Sequence, residues 1–219
     1  KPFMAWQKGL LTDSGGYQAF SLSDMVKLHA DGIEFRSHLD GSRHFFSPDI
    51  VVDFQYTVGS DIIMPIDDCA AYPSSHERLQ DGLVRTHDWL LKSRERWVEY
   101  EHDIGALFGI VQGGVDARLR RESAEKASEL DLPGYAIGGL SVGEKTEEFR
   151  EALAVNTECL PADRPRYLMG VGSIPEIIDS VSLGIDMFDC VLPTRNARNG
   201  QLFTSIGKVN IRRQEHQYS

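Results

Sequence analysis

Residues 107–143, LFGIVQGGVDARLRRESAEKASELDLPGYAIGGLSVG, hold the alternation that sets the fold class. A short apolar run, Leu107–Val111, stops at Gln112-Gly113-Gly114. A helical pattern follows from Asp116 to Leu130, and a second apolar run from Tyr135 stops at Gly138-Gly139. Strands joined by a helix-length crossover lie parallel, because an antiparallel neighbour needs only a tight turn.

The same unit repeats outward in both directions. Upstream, DIIMPIDD (Asp61–Asp68) leads into SSHE, where Ser74 and Glu77 have capping-box spacing. The spacing predicts a long helix running toward His102, with Leu79, Leu83, Leu90 and Trp97 near one face. Downstream, TEEFREALAV takes Thr146 as its N-cap. RYLMGVG (Arg166–Gly172) leads into SIPEIIDSVSLG, in which Ser173 caps, Glu176 completes a capping box and Gly184 ends the helix. GIDMFDC begins the last such run at Gly184. Recurring β-runs of this kind imply a parallel sheet, and a doubly wound sheet and a (β/α)8 barrel both fit. Nearer the start, GIEFRSHLDGSRHFFSP reads as a β-hairpin turning at Asp40-Gly41. Ser47-Pro48 then opens a helix ending near Gly59.

With 219 residues, the chain can bury a substantial core. Cys69, Cys159 and Cys190 are sparse, odd in number and at no metal-ligand spacing, which fits a reducing cytosol better than a disulfide framework. No stretch is long and apolar enough to span a membrane. Lys1 opens the chain without a signal pattern, so the sequence reads as a fragment and not as a secreted precursor. The net charge of −10 argues against a dedicated nucleic-acid binder. Yet between Val191 and Arg213 stand Arg195, Arg198, Lys208, Arg212 and Arg213 with no Asp or Glu. That stretch is either a solvated tail or a local phosphate-binding patch.

Polar residues collect where the apolar runs stop. Asp13 follows GLLT, Asp67-Asp68 follow IIMPI, and Gln112 follows FGIV. Gly138-Gly139 follow YAI, Gly170 follows YLM, and Asp189 follows IDMF. In a parallel barrel these ends converge on one mouth, where glycines let backbone groups reach a planar polar ligand. Strand alternation places Asp189 with Ile185 and Met187, and Cys190 with Asp186 and Phe188, so only one of Asp189 and Cys190 looks into the mouth. A thiolate wants a neighbouring His, and none lies between His102 and His216. Cys190 reads as packing, and Asp189 as a site carboxylate, a strand-end cap or an Arg195 ion-pair partner. Asp13 suits turn chemistry as well as catalysis, and Tyr17 suits core packing as well as stacking. No metal is assigned to Asp67-Asp68, because no further ligand stands at the right spacing. GVGS at Gly170 resembles a phosphate-binding corner without the spacing of a nucleotide fingerprint. His38 and His44 flank the hairpin turn and are expected to be exposed.

LTDSGGYQ, SHLDGSRH, FGIVQGG, GYAIGGLSVGE, RYLMGVG and GIDMFDCVLPTRNARNGQLF together resemble the tRNA-guanine transglycosylases, also called queuine tRNA-ribosyltransferases. The resemblance runs in order over nearly the whole chain. It implies a (β/α)8 TIM barrel, of which residues 1–219 would be the core, lacking the family's N-terminal strands. The family's Cys/His zinc site would lie beyond Ser219, so no residue is assigned to zinc and no cofactor is identified. The activity implied is exchange of guanine for a 7-deazaguanine at the anticodon wobble position of tRNA, in the cytoplasm, as part of queuosine biosynthesis. By similarity Asp189 is the nucleophile and Asp13 the general acid/base. Asp67 would accept from the guanine amino and ring N–H groups, while Gln112 and the Gly139 backbone meet its carbonyl edge. The Leu140 carbonyl would face the deazapurine substituent, Tyr17 and Met169 would sandwich the ring, and Gly170 lies beside them. Arg195 and Arg198 fall where the family contacts the anticodon loop. Val142, in place of the smaller Gly of queuine users, and the bacterial-type DDCAAYP point to the aminomethyl base preQ1. The family also tends to form homodimers. The competing readings are a queuine-using enzyme, a non-catalytic tRNA-binding partner subunit and a small-molecule glycosidase. Retention of both Asp13 and Asp189 speaks against a subunit without activity, and the acid-free basic stretch against a glycosidase.

Overall fold

A computed structural model of the chain describes residues 4–16, 26–37, 39–101, 105–205 and 207–214. Its centre is a parallel sheet of β1 (Leu11–Thr12), β5 (Ile62–Ile63), β6 (Ala106–Val111), β7 (Gly134–Ile137), β8 (Arg166–Leu168) and β9 (Met187–Phe188). Within this sheet the strands lie side by side in their chain order, with the three strands between β1 and β5 set apart in a second sheet. A doubly wound sheet reverses its order at a switch point. An order that never reverses is that of a barrel, and the sheet forms part of a (β/α)8 barrel.

Helices α1 (Pro48–Val58), α2 (His76–Glu99), α3 (Ala117–Ser128), α4 (Thr146–Cys159) and α5 (Ile174–Ser182) connect or follow the strands. The Ser47 side chain accepts from Ile50 N–H to start α1, and Gly59 ends it in the left-handed region at φ 75°. Two expected caps move by one residue. Ser75, not Ser74, accepts from Arg78 N–H at the start of α2, because the Ser74 hydroxyl donates to the Ala71 carbonyl at 2.6 Å. Thr146 is the first helical residue of α4, behind an N-cap at Lys145 whose N–H donates to Glu148. Ser173 caps α5 as expected, without the reciprocal Glu176 bond of a full box. Helix α2 ends at Glu99, and His102 lies outside the described residues. Leu83 and Leu90 are buried on it, and Leu79 and Trp97 are half-buried.

Before α1, β2 (Val26–His29), β3 (Gly32–Arg36) and β4 (Arg43–Phe46) form an antiparallel sheet. The expected hairpin is its β3–β4 half, with Ile33 opposite Phe46 and Arg36 opposite Arg43. Buried Trp89 of α2 anchors this sheet, donating to the Ala30 carbonyl at 3.1 Å and packing with Ile33, Val51 and Ile66. His44 is exposed, and His38 lies outside the described residues. After β9, α6 (Leu192–Arg198) leads into the hairpin of β10 (Gln201–Thr204) and β11 (Gly207–Asn210).

Strand alternation divides the core in two. Ile63, Leu107, Val111, Tyr135, Ile137 and Leu168 pack outward with helix residues such as Leu90, Ala124 and Phe149. Met64, Phe108, Ile110, Ala136 and Tyr167 form the inner cluster, with Met169 and Met187 against it. Ile185, expected on the Asp189 face, joins the outer cluster because it precedes β9 and does not share its pleat.

Candidate active site at the strand ends

Register brings the expected residues into one row. Val111 pairs with Ile137, Ile137 with Leu168, and Leu168 with Phe188. The next residue on each strand is Gln112, Gly138, Met169 or Asp189, one step beyond this row and on the inner face. The ladder continues into it: Gly138 N–H donates to the Val111 carbonyl, and Met169 N–H to the Ile137 carbonyl, each at 3.1 Å. Asp13 follows Thr12 at the same end of β1, and Asp67 stands beyond β5.

The Asp189 side chain is held on one oxygen. Its Oδ1 accepts the Tyr167 hydroxyl at 2.7 Å and the Gly170 N–H at 2.7 Å, while Oδ2 takes no hydrogen bond from the described residues. Both donors are neutral, and no ion pair with Arg195 forms. Burial, the bond to Asp189 and the charges of Asp189 and Asp13 all push the Tyr167 phenol far above its ordinary value, so it remains a donor. Cys190 is half-buried behind Asp189, and its Sγ accepts from Leu192 N–H. A side chain on Gly172 would run into it, 2.1 Å from Cys190 Cβ. Cys190 is packing, in keeping with its sequence reading.

Asp67 is an acid in a strongly desolvating place. It is buried, and its Oδ2 accepts from Gln112 Nε2 at 2.6 Å. Burial raises its pKa to about 7, and the Asp13 and Asp68 charges add to the rise against the opposing Gln112 bond. The Asp13 charge therefore acts on both Asp67 and Tyr167. Asp13 itself is exposed and accepts from Ser14 N–H at 2.9 Å. The backbone closes in on the Asp67–Gln112 pair. A Cβ on Gly16 would stand 1.9 Å from Asp67 Oδ1, and one on Gly139 (φ +65°) 2.3 Å from Gln112 Oε1.

Other expected residues have separate positions. Gly170 has its N–H on Asp189. Leu140 is buried in the outer core, and Tyr17 lies outside the described residues. Arg195 and Arg198 are exposed on α6, which begins three residues after Asp189. Arg212 of the hairpin end donates to the Arg198 carbonyl at 3.2 Å, which ties the hairpin to α6.

Asp68 differs from its neighbour. Buried, it accepts from Arg78 and Arg85, and its N–H donates to Thr86 Oγ1 at 2.9 Å. It is a structural anion that fixes the loop carrying Asp67. The free cysteines Cys69, Cys159 and Cys190 do not converge, and burial pushes the Cys69 thiol up to about 12. Among the described residues no group of three or more His, Cys, Asp or Glu side chains is placed to hold a metal ion, so nothing there fits the zinc implied by the resemblance. Nor is any described helix long and apolar enough to cross a membrane.

Two polar residues of the site region escape a reading based on strand ends. Tyr167 lies within β8, and Arg120 within α3. Parity had a signal for Tyr167, two residues before Met169 on the same face. Arg120 had none, because RLRRE reads as a solvated helix face.

The family model described as Queuine tRNA-ribosyltransferase matches residues 1–219. A queuine tRNA-ribosyltransferase of Leptospira biflexa serovar Patoc is 52% identical over 219 residues, covering 100% of this chain and 59% of the relative. One from Caldanaerobacter subterraneus subsp. tengcongensis is 52% identical over 210 residues, covering 96% of the chain and 56% of the relative. One from Halothermothrix orenii is 50% identical over 210 residues, with the same shares of 96% and 56%. The chain thus spans less than two thirds of the length of these relatives.

Proposed function

The chain belongs to the queuine tRNA-ribosyltransferase family, and from that premise and the site geometry we propose that it exchanges guanine for a 7-deazaguanine in tRNA. Base exchange with retained configuration needs two displacements at the ribose anomeric carbon. In the first, Asp189 Oδ2 attacks that carbon as the bond to guanine N9 breaks. The bonding pair leaves with the base, and Asp13 supplies the proton guanine takes up. In the second, the incoming base gives its N9 proton to Asp13 and attacks the same carbon, releasing the Asp189 carboxylate. Two inversions restore the original configuration.

The observation that carries this reading is the hold on Asp189. Tyr167 and Gly170 fix Oδ1, and among the described residues none donates to Oδ2, at the mouth that also contains the buried Asp67–Gln112 pair. Asp67 as an anion would accept two N–H groups of guanine, and Gln112 and the Gly139 backbone would meet the carbonyl. Met169 would cover one face of the ring and Tyr17 the other. The Leu140 carbonyl would face the substituent at the 7-position. Val142 lines a small recess with Ala70, Ala71, Tyr72, Gly139 and Glu144, which supports the compact preQ1 over the ring-bearing queuine. The exposed Arg195 and Arg198 would take the anticodon loop, since planar guanidinium groups suit phosphates and base edges.

Radiolabelled guanine exchange into tRNA tests the proposal. Wild type should incorporate label and Asp189→Asn should not. Equal incorporation by both would remove Asp189 from the chemistry, and preference for queuine over preQ1 in competition would overturn the reading of Val142.

A further inference from the structure

Arg120 is fully buried, and each of its hydrogen bonds goes to a backbone carbonyl. Nε donates to Gly114 at 2.6 Å, Nη1 to Gly138 at 2.8 Å and to Val111 at 3.3 Å, and Nη2 to Gly139 at 3.1 Å. Buried cations are ordinarily paired with a carboxylate. This one is solvated by two strand ends, β6 and β7, and burial pulls its pKa down to about 10.

The orientation has a consequence for what those strand ends present. In a trans peptide the C=O and the following N–H point in opposite directions. With the Gly138 carbonyl drawn toward Arg120, the Gly139 N–H must point away from it. On the β6 side, Arg120 holds the Val111 carbonyl just before Gln112 and the Gly114 carbonyl two residues after it, while the Gln112 N–H donates to Ser123 Oγ at 3.0 Å. The Gln112 backbone is thereby fixed from both sides, and its Oε1 closes on Gly139 so tightly that no Cβ fits there. A planar five-donor fork spans two strand ends in this way, whereas an ammonium, with its donors on one atom, does not.

The geometry points to Arg120 as a positioning residue that aims the Gln112 side chain and the Gly139 N–H at the carbonyl edge of the bound purine. It touches no substrate and acts through these two groups. This role rests on the base-exchange reading and adds to it the determinant of carbonyl recognition.

The test compares guanine with 6-thioguanine, which keeps the ring N–H and the amino group but replaces the carbonyl oxygen with a poor acceptor. Dissociation constants are measured by calorimetry for wild type and Arg120→Lys, alongside thermal unfolding. Wild type should prefer guanine. Arg120→Lys should lose roughly tenfold or more in guanine affinity and threefold or less in 6-thioguanine affinity, so that the preference collapses. Equal weakening of both bases, or unchanged guanine affinity, overturns the positioning role. If Arg120→Lys does not fold, Arg120→Gln is carried through the same comparison. If neither folds, Arg120 is a folding determinant and the proposal falls. A wild type that binds neither base overturns the base-exchange reading itself, an outcome distinct from a variant that keeps wild-type discrimination.

Discussion

Replacing Asp67 by Asn should make the free protein more stable at neutral pH while removing its affinity for guanine. The folded protein holds the Asp67 proton up to about pH 7, whereas an ordinary Asp releases it near 3.8. Between these values the folded state binds more protons than the unfolded one, so stability from this group falls as pH rises. It is intact below pH 3.8, declines through the window and is flat above about 7. At about 1.4 kcal/mol per pH unit the full loss is on the order of 4 kcal/mol, an upper bound that local relaxation reduces. Asn keeps the shape and still accepts from Gln112, but does not titrate. Urea unfolding of both proteins from pH 4 to 8 measures the difference, in which the other titrating groups largely cancel. The stability of Asp67→Asn relative to wild type should climb across that range and level off near pH 7. A difference that does not change with pH would refute the argument from burial. On the base-exchange reading guanine binds to the Asp67 anion, so its affinity for wild type should rise toward pH 7, while Asp67→Asn should not bind it measurably.

Tyr167→Phe removes one of the two donors on Asp189, a charged-group hydrogen bond worth about 1.5–3 kcal/mol. Its kcat for guanine exchange should fall roughly 10- to 150-fold with the dissociation constant for free guanine unchanged, as steady-state kinetics and calorimetry would show. Arg195→Ala and Arg198→Ala should each weaken tRNA binding and reduce the slope of log affinity against log salt by about one, with free-guanine affinity unaffected. Filter binding at several salt concentrations measures this, and an unchanged slope would take the arginine off the phosphate path.

The mouth of the site was legible because strands print their ends in sequence. A short apolar run that stops at Asp, Gln or Gly marks both the strand and the residue it presents, as at Val111-Gln112 and Phe188-Asp189. Parity also separated Asp189 from Cys190. It failed at Ile185, which lies outside the two-residue strand β9, since alternation holds only where the chain is extended and paired. The choice between Ser74 and Ser75 as cap depended on which hydroxyl a neighbouring carbonyl claims, a tertiary fact. Asp67 and Asp68 are adjacent acids with different fates. Two arginines from α2 reach Asp68 and fix it as a structural anion, while among the described residues Asp67 accepts from Gln112 and feels the like charges of Asp13 and Asp68. Nothing in the sequence around Arg120 separated it from Arg118 and Arg121, which are exposed on the same helix. Only the helix rotation against the sheet decides which arginine is buried.

On the base-exchange reading, Asp189 bonds covalently to the ribose. That bond is tested most directly by denaturing electrophoresis of the chain incubated with a tRNA substrate and a base that stalls the second displacement. A protein–RNA band that survives denaturation with wild type and is absent with Asp189→Asn is the expected result. The same band with Asp189→Asn, or none with wild type while guanine exchange proceeds, would contradict it.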